Sequence, residues 1–239
     1  MKVNIVSWNT QGSAPIKISE HGKDIVIKGI LNFILLQESG SVTDRADIAL
    51  LNDKINGMRF NGYFATQPNA KNFRCTVGMY VPETMPSIYQ YNVSSFNCFK
   101  CSALTRPIVS YNASINGKDY LIATMHAKSD SSKSPYEIAT TLEYVIGSGV
   151  RNWILMGDFN CPPSTFNKVF MGTKYMAYLK YDSSCATQLS GNILDYCFCS
   201  DTLLPHITVK CGFPKDPIYT SSQSDHCMIS TSFDTDNVI

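Results

Sequence analysis

The chain has 239 residues, 44% apolar and 16% charged, with a net charge of +1. That balance excludes a disordered chain, and near-neutrality argues against a protein that grips polyanions through bulk positive charge. Apolar runs stay under half of the ~20 residues needed to span a bilayer, so no membrane-crossing helix is expected.

Val3 to Ser7 alternates and predicts a strand, with no leader-like segment before it, so an intracellular chain or a mature form is expected. Lys23 to Asn32 predicts a short helix, followed by a buried strand over Phe33 to Leu36. Thr76 to Val81 predicts a strand closed by Pro82. Ile108 to Ile115 and Lys118 to Thr124 alternate on either side of Asn116-Gly117, a hairpin signal because both turn residues tolerate positive φ. Pro135 to Ile146 predicts a helix capped by Ser134, with Ile138, Leu142, Val145 and Ile146 on one face and Gly147 and Gly149 after it. Trp153 to Met156, Ile193 to Cys199 and Cys227 to Phe233 predict three more strands. No repeat, linker or charge block divides the chain, so residues 1–239 are expected to form a single domain of α+β class.

The nine cysteines are an odd count, so at least one thiol stays unpaired within the chain. Cys98 and Cys101 have half the spacing of a zinc knuckle, but the second half is absent. Cys197 and Cys199 lie two apart in an apolar run and read as small buried hydrophobes on one strand face. Asn92-Val93-Ser94 and Asn112-Ala113-Ser114 fit the glycosylation pattern, which matters only on a secretory route.

Six segments place an acid, an amide or a histidine beside an apolar, strand-like run. They are Trp8-Asn9, Gln37-Glu38, Met125-His126, Gly157-Asp158-Phe159-Asn160, Leu194-Asp195-Tyr196 and Ser224-Asp225-His226. Polar groups at strand ends are where loops build sites on a rigid frame. Asn9, Glu38 and Asp225 offer the hard oxygen donors that a cation such as Mg2+ requires. Phosphoester hydrolysis needs an activated water and a protonated leaving group, and His126 and His226 are the histidines in suitable contexts. Asp158, Asn160 and Asp195 could orient them or the water. Each signal alone has a bland alternative: a solvated Glu38, an Asx turn at Asp158, a core histidine at His126.

The ordered set, from Val6 to Ile229, resembles the endonuclease/exonuclease/phosphatase superfamily, and within it most nearly the catalytic B subunits of cytolethal distending toxins. Ser7 to Ser13 with Gln11, Gln37 to Val42, Phe73 to Met79 with Arg74, Thr105-Arg106-Pro107 and Gly191 to Tyr196 carry that likeness. The resemblance implies a four-layered sandwich: two packed, largely antiparallel sheets flanked by helices. It implies a metal at Asn9 and Glu38 with Asp225 nearby, Mg2+ first and Mn2+ or Ca2+ as alternatives. It implies that His226, polarised by Asp195, activates water, that His126 serves the leaving oxygen, and that Asp158 and Asn160 position water and phosphate. Arg74 and Arg106 would clamp phosphate oxygens.

The implied activity is Mg2+-dependent hydrolysis of phosphodiesters in double-stranded DNA. A phosphoinositide phosphatase is the alternative substrate class, and a catalytically inactive binding relative is the alternative of another kind. By the same resemblance the implied setting is a secreted or delivered toxin, with partner delivery subunits, acting in a target-cell nucleus. The segment from Thr43 to Asn72 shows no likeness that can be placed.

Overall fold

The structure, a computed structural model, describes residues 1–12, 14–40, 54–66, 76–83, 91–99, 106–212 and 224–238. Among the described residues thirteen strands form two sheets. The first holds β1 (Lys2–Asn9), β2 (Leu31–Gln37), β3 (Lys54–Ile55), β4 (Met58–Thr66), β5 (Thr76–Pro82), β12 (Val209–Cys211) and β13 (Ile229–Asp234), in the order β12-β13-β1-β2-β5-β4-β3. The second holds β6 (Tyr91–Phe99), β7 (Ile108–Ile115), β8 (Lys118–His126), β9 (Asn152–Asp158), β10 (Leu179–Lys180) and β11 (Asp195–Cys199), in the order β10-β11-β9-β8-β7-β6. Each sheet has one parallel pair, β1 with β2 and β8 with β9, and is otherwise antiparallel.

Period-two alternation explains the layers. Val3, Ile5, Leu31, Phe33 and Leu35 of the first sheet meet Tyr120, Ile122, Ile154, Met156, Cys197 and Cys199 of the second in one buried core. The intervening residues face outward. Val6, Trp8, Ile34 and Leu36 pack under helix α1 (Ala14–Ile25) through Ala14, Ile18 and Ile25. Leu121, Ala123, Trp153, Leu155, Tyr196 and Phe198 pack under α2 (Ser134–Gly147) and α3 (Pro163–Val169). The result is the expected four-layered α+β sandwich. Among the described residues no helix is long and apolar enough to cross a membrane.

Several boundaries differ from the sequence reading. The first helix is Ala14–Ile25, not Lys23 to Asn32. The Asn32 side chain bonds the backbone of Ile27 and Ile30 and, with Gly29 at φ +81°, folds that stretch into a turn. Gly22 disguised the helix, but a Cβ there would lie 2.5 Å from Ile55 Cγ2, so helix and strand pack through its missing side chain. Ser134 lies inside α2 rather than capping it; Lys133 is the cap residue and makes no side-chain cap bond. The last strand starts at Ile229 rather than Cys227, and β11 starts at Asp195 rather than Ile193. The Asn116-Gly117 hairpin forms as read, at φ +51° and +72°.

Gly157 marks a close approach between the two parallel strands of the second sheet. A Cβ there would stand 2.1 Å from the Met125 carbonyl oxygen, and neither strand can give way without losing its pairing. Gly157→Ala is expected to destabilise the protein by about 3 kcal/mol or more, or to prevent folding. Gly147→Ala, at an ordinary φ with open space around it, is expected to be neutral or to stabilise by a few tenths to about 1 kcal/mol. Denaturant unfolding of both variants checks this; equal stabilities would contradict it.

Candidate active site

The inward-facing row of each central strand is apolar until it reaches one end of the sandwich, where it turns polar. Val3-Ile5 continues to Ser7 and Asn9, and Leu31-Phe33-Leu35 continues to Gln37. Tyr120-Ile122 continues to Thr124 and His126, and Ile154-Met156 to Asp158; Cys199-Cys197 leads back to Asp195. All these polar residues are buried. Strand pairing then sets them abreast. Asn9 lies opposite Gln37 in the first sheet. His126, Asp158 and Asp195 occupy a single rung across three strands of the second.

Hydrogen bonds cross from sheet to sheet at this end. Asn9 Nδ2 donates to Asp158 Oδ2 at 2.8 Å, and Gln37 Nε2 donates to Thr124 Oγ1 at 2.8 Å; within its own sheet Gln37 Nε2 also donates to Ser7 Oγ at 3.1 Å. The loops complete the cluster. Glu38 would face outward if β2 ran on, since Gln37 faces inward. A left-handed backbone at Glu38, φ +48°, turns it back and leaves its Oε1 3.7 Å from His126 Nε2. Gln11 and Asn160 are left-handed too, at φ +49° and +46°. Non-glycine residues in this region cost on the order of 1 kcal/mol or more each, so surrounding contacts must hold them there.

Those contacts are visible. The Gln11 amide N–H bonds Asn9 Oδ1 at 3.1 Å, while its side chain donates to Asp225 Oδ1 and accepts the Asp225 N–H. Asn160 accepts no strain alone: its N–H bonds Asp158 Oδ1 at 2.9 Å, and its Nδ2 bonds the Ala127 carbonyl at 2.9 Å. Phe159 between them is fully buried and stacked on Tyr196 at 4.3 Å, which pins the turn to the outer core.

Ser224-Asp225-His226 precedes β13 and is not regular strand; His226 makes only an isolated bridge with Gln188. Two neighbouring side chains can therefore serve one site, which a regular strand forbids. The Ser224 hydroxyl donates to the Asn9 carbonyl at 2.9 Å and accepts the His226 N–H at 3.1 Å. His226 Nδ1 pairs with Asp195 Oδ2 at 2.8 Å, and its Nε2 lies 3.7 Å from both Asp158 Oδ2 and Asp225 Oδ1. His126 Nε2 lies 3.4 Å from the same Asp158 oxygen. Arg106 is half-buried and donates to the Ala127 carbonyl at 2.9 Å, sharing that acceptor with Asn160. Arg74 lies outside the described residues.

The charges are tightly coupled. Burial drives the Asp158 and Asp195 carboxyls above the ordinary range, against the opposing pull of His226. Burial works to lower His226, but its bond to Asp195, with the charges of Asp195, Asp158 and Asp225, overcomes this and raises it to about 9.

Two contributors escaped the sequence reading. Lys17 is fully buried; its Nζ donates to the Thr10 carbonyl at 2.7 Å and lies 5.3 Å from the Trp8 ring centre. Burial lowers its pKa to about 8, partly offset by Asp225, Glu38 and Glu20, so both metal-candidate carboxylates border the space around this ammonium. Thr187 accepts the N–H groups of Leu194 and Asp195 on its hydroxyl, at 2.8 and 2.9 Å, and so fixes the start of β11.

No family model matches the sequence, and no curated protein matches it. Solved structures match over almost the whole chain. Truncated TDP2 from Caenorhabditis elegans is 15% identical with a TM-score of 0.64, covering 98% of each chain. The catalytic domain of human Nocturnin with bound sulfate is 16% identical with a TM-score of 0.63, covering 98% of this chain and 94% of that one. The cytolethal distending toxin of Haemophilus ducreyi is 18% identical with a TM-score of 0.60, covering 95% and 96%. The fold is deoxyribonuclease I-like. In this deoxyribonuclease I-like sandwich, nine of the ten residues singled out from sequence fall within the described residues, all at the polar end of the core or its rim; Arg74 is the tenth.

The Asp195–His226 pair generates a pH prediction for the metal-free protein. A histidine raised from 6.5 to about 9 contributes stability that is full below about pH 6.5 and lost as pH rises through about 9. Asp195→Asn removes the charge that accounts for most of the rise. An NMR titration of the His226 imidazole is expected to show its midpoint falling well below the wild-type value; an unchanged midpoint would contradict the pairing.

Proposed function

We propose that the protein is a divalent-metal-dependent phosphodiesterase acting on double-stranded DNA, with residues 1–239 working as one catalytic domain. The observation that carries the reading is the His226–Asp195 pair, 2.8 Å apart, set against a second histidine across a shared Asp158 oxygen. Two histidines flanking one carboxylate suit a reaction that takes a proton on one side and delivers one on the other.

Asn9, Glu38 and Asp225 would hold the cation. The donor set fits: two carboxylates and an amide oxygen are hard ligands of the kind Mg2+ takes together with water, and Mn2+ or Ca2+ would suit the same oxygens. Asp225 has one oxygen engaged by Gln11, and its side chain is 40% exposed, so the other can face a ligand. Asp158, Asp195 and His226 also lie within ligand reach of one another, but the Asp195–His226 hydrogen bond already occupies the facing atoms. A cation held by Glu38 and Asp225 would supply positive charge to stabilise phosphoryl oxygens and would oppose the carboxylates that keep His226 protonated.

The chain's own groups do the rest. His226, with Nδ1 held by Asp195, takes the proton of the attacking water at Nε2. Asp158 and Asn160 orient that water and a phosphate oxygen. His126 protonates or stabilises the leaving oxygen. Arg106 offers a guanidinium fork at the rim, and Arg74 is proposed to do likewise. A toxin-like delivery to the nucleus with partner subunits follows only from the likeness of sequence motifs to toxin B subunits.

Nicking of supercoiled plasmid in Mg2+ is expected, abolished by chelator and reduced at least roughly 100-fold by His126→Ala or His226→Ala. Full nicking in both variants would overturn the assignment. Faster phosphate release from phosphoinositides than DNA cleavage would move the substrate class, and no hydrolysis of DNA, RNA or lipid by a folded, metal-loaded protein would make it a binding relative.

A further inference from the structure

Three cysteines meet beside the candidate site. Cys185 lies in the bend after β10, Cys211 ends the edge strand β12, and Cys227 follows His226 directly. Their sulfurs all lie within 4.8 Å of one another. Cys185 and Cys211 form a disulfide with Cα atoms 6.2 Å apart, and the Cys227 thiol stands 3.1 Å from the Cys211 sulfur. Cys211 and Cys227 are buried, whereas Cys185 is partly exposed.

We propose that these residues form a thiol–disulfide exchange site in which Cys211 pairs alternately with Cys185 and Cys227, and that the pairing sets the geometry of the catalytic turn. In the exchange, Cys227 Sγ gives up its proton to solvent base and the thiolate attacks Cys211 Sγ. The Cys227–Cys211 bond forms, the Cys185–Cys211 bond breaks, and its electron pair leaves on Cys185 Sγ, which takes up a proton from solvent. Nothing is oxidised or reduced overall. The leaving sulfur is the one that solvent and small dithiols can reach.

The coupling to the site is short. Two residues after Cys185, the Thr187 hydroxyl receives the Asp195 N–H, and the Thr187 carbonyl receives the Cys227 N–H at 2.7 Å. The Cys185–Cys211 bond thus ties the turn that orients Asp195 to an edge strand of the opposite sheet. The alternative bond ties the residue next to His226 to that strand instead and releases the turn. The inference does not depend on the substrate.

The test is differential alkylation under acid quench, followed by peptide mapping of disulfides, on wild type, Cys185→Ser and Cys227→Ser. The expected result is a Cys211–Cys227 disulfide in Cys185→Ser and a Cys185–Cys211 disulfide in Cys227→Ser. In wild type both are expected, with Cys185 and Cys227 each partly alkylated. The His226 imidazole resonance is expected to differ between the two variants, which reports coupling without relying on activity. Cys211 and Cys227 both fully alkylated in a folded Cys185→Ser protein would overturn exchange and leave a simple tether. Three reduced thiols protected by one equivalent of zinc and freed by chelator would overturn it in favour of a metal site. Identical His226 resonances in both variants would overturn the coupling.

Discussion

The hydrogen bond from Asn9 to Asp158 joins the two sheets at the end where the inward rows of their central strands turn polar. Both groups are buried, and a buried amide or carboxylate without a partner costs roughly 1–3 kcal/mol or more. The two sheets must therefore dock in the register that brings β1 and β9 end to end. Gln37 reaching Thr124 adds a second tie of the same kind. The apolar rows behind them tolerate some sliding in principle, since hydrophobic contact is non-directional. The polar tips do not. Sheet docking and site assembly are thus one event.

That constraint explains why strained backbone collects at this end. Left-handed residues at Gln11, Glu38 and Asn160 each follow closely on a strand whose last inward side chain is already committed to the seam. Turning sharply there aims the next polar group at the same small volume. The electrostatic cost is plain: Asp158 and Asp195 are both held above their ordinary range by burial, with Glu38 and Asp225 at the rim. His226 and Lys17 offset part of this negative charge, and a cation at the oxygen donors would offset more. The site's charge balance is what makes the metal proposal more than analogy.

Much of the site was legible because period-two alternation is read directly from sequence. An apolar row that ends in Asn9, Gln37, His126 or Asp158 announces a polar core terminus before any fold is known. Which rows meet was not legible, since that depends on sheet order, and only the ordered motif likeness supplied it. Lys17 stayed invisible because a helical lysine reads as a solvated charge; its fold back onto Thr10 is a tertiary fact. Thr187 and Cys185 lie in a turn-rich stretch with no periodicity, and Cys211 ends a three-residue edge strand too short to show one. The first helix was misplaced because Gly22 weakens the local helix signal; the space it leaves for Ile55 is a long-range feature, whereas the Asn32 turn is local side-chain-to-backbone chemistry that the apolar spacing of Ile25, Ile30 and Leu31 masked. The Asn116-Gly117 hairpin, by contrast, is encoded entirely in its own residues.

The proposed chemistry divides two tasks among the polar groups at this end: Glu38, Asp225 and Asn9 for a cation, and Asp158 and Asp195 for the histidines. Crystals grown with Mn2+ and measured for anomalous scattering test this most directly. The account predicts a peak bounded by Glu38, Asp225 and the Asn9 amide oxygen, with the Asp195–His226 hydrogen bond intact. A peak seated instead among Asp158, Asp195 and His226, or none at this end of the sandwich, would contradict it.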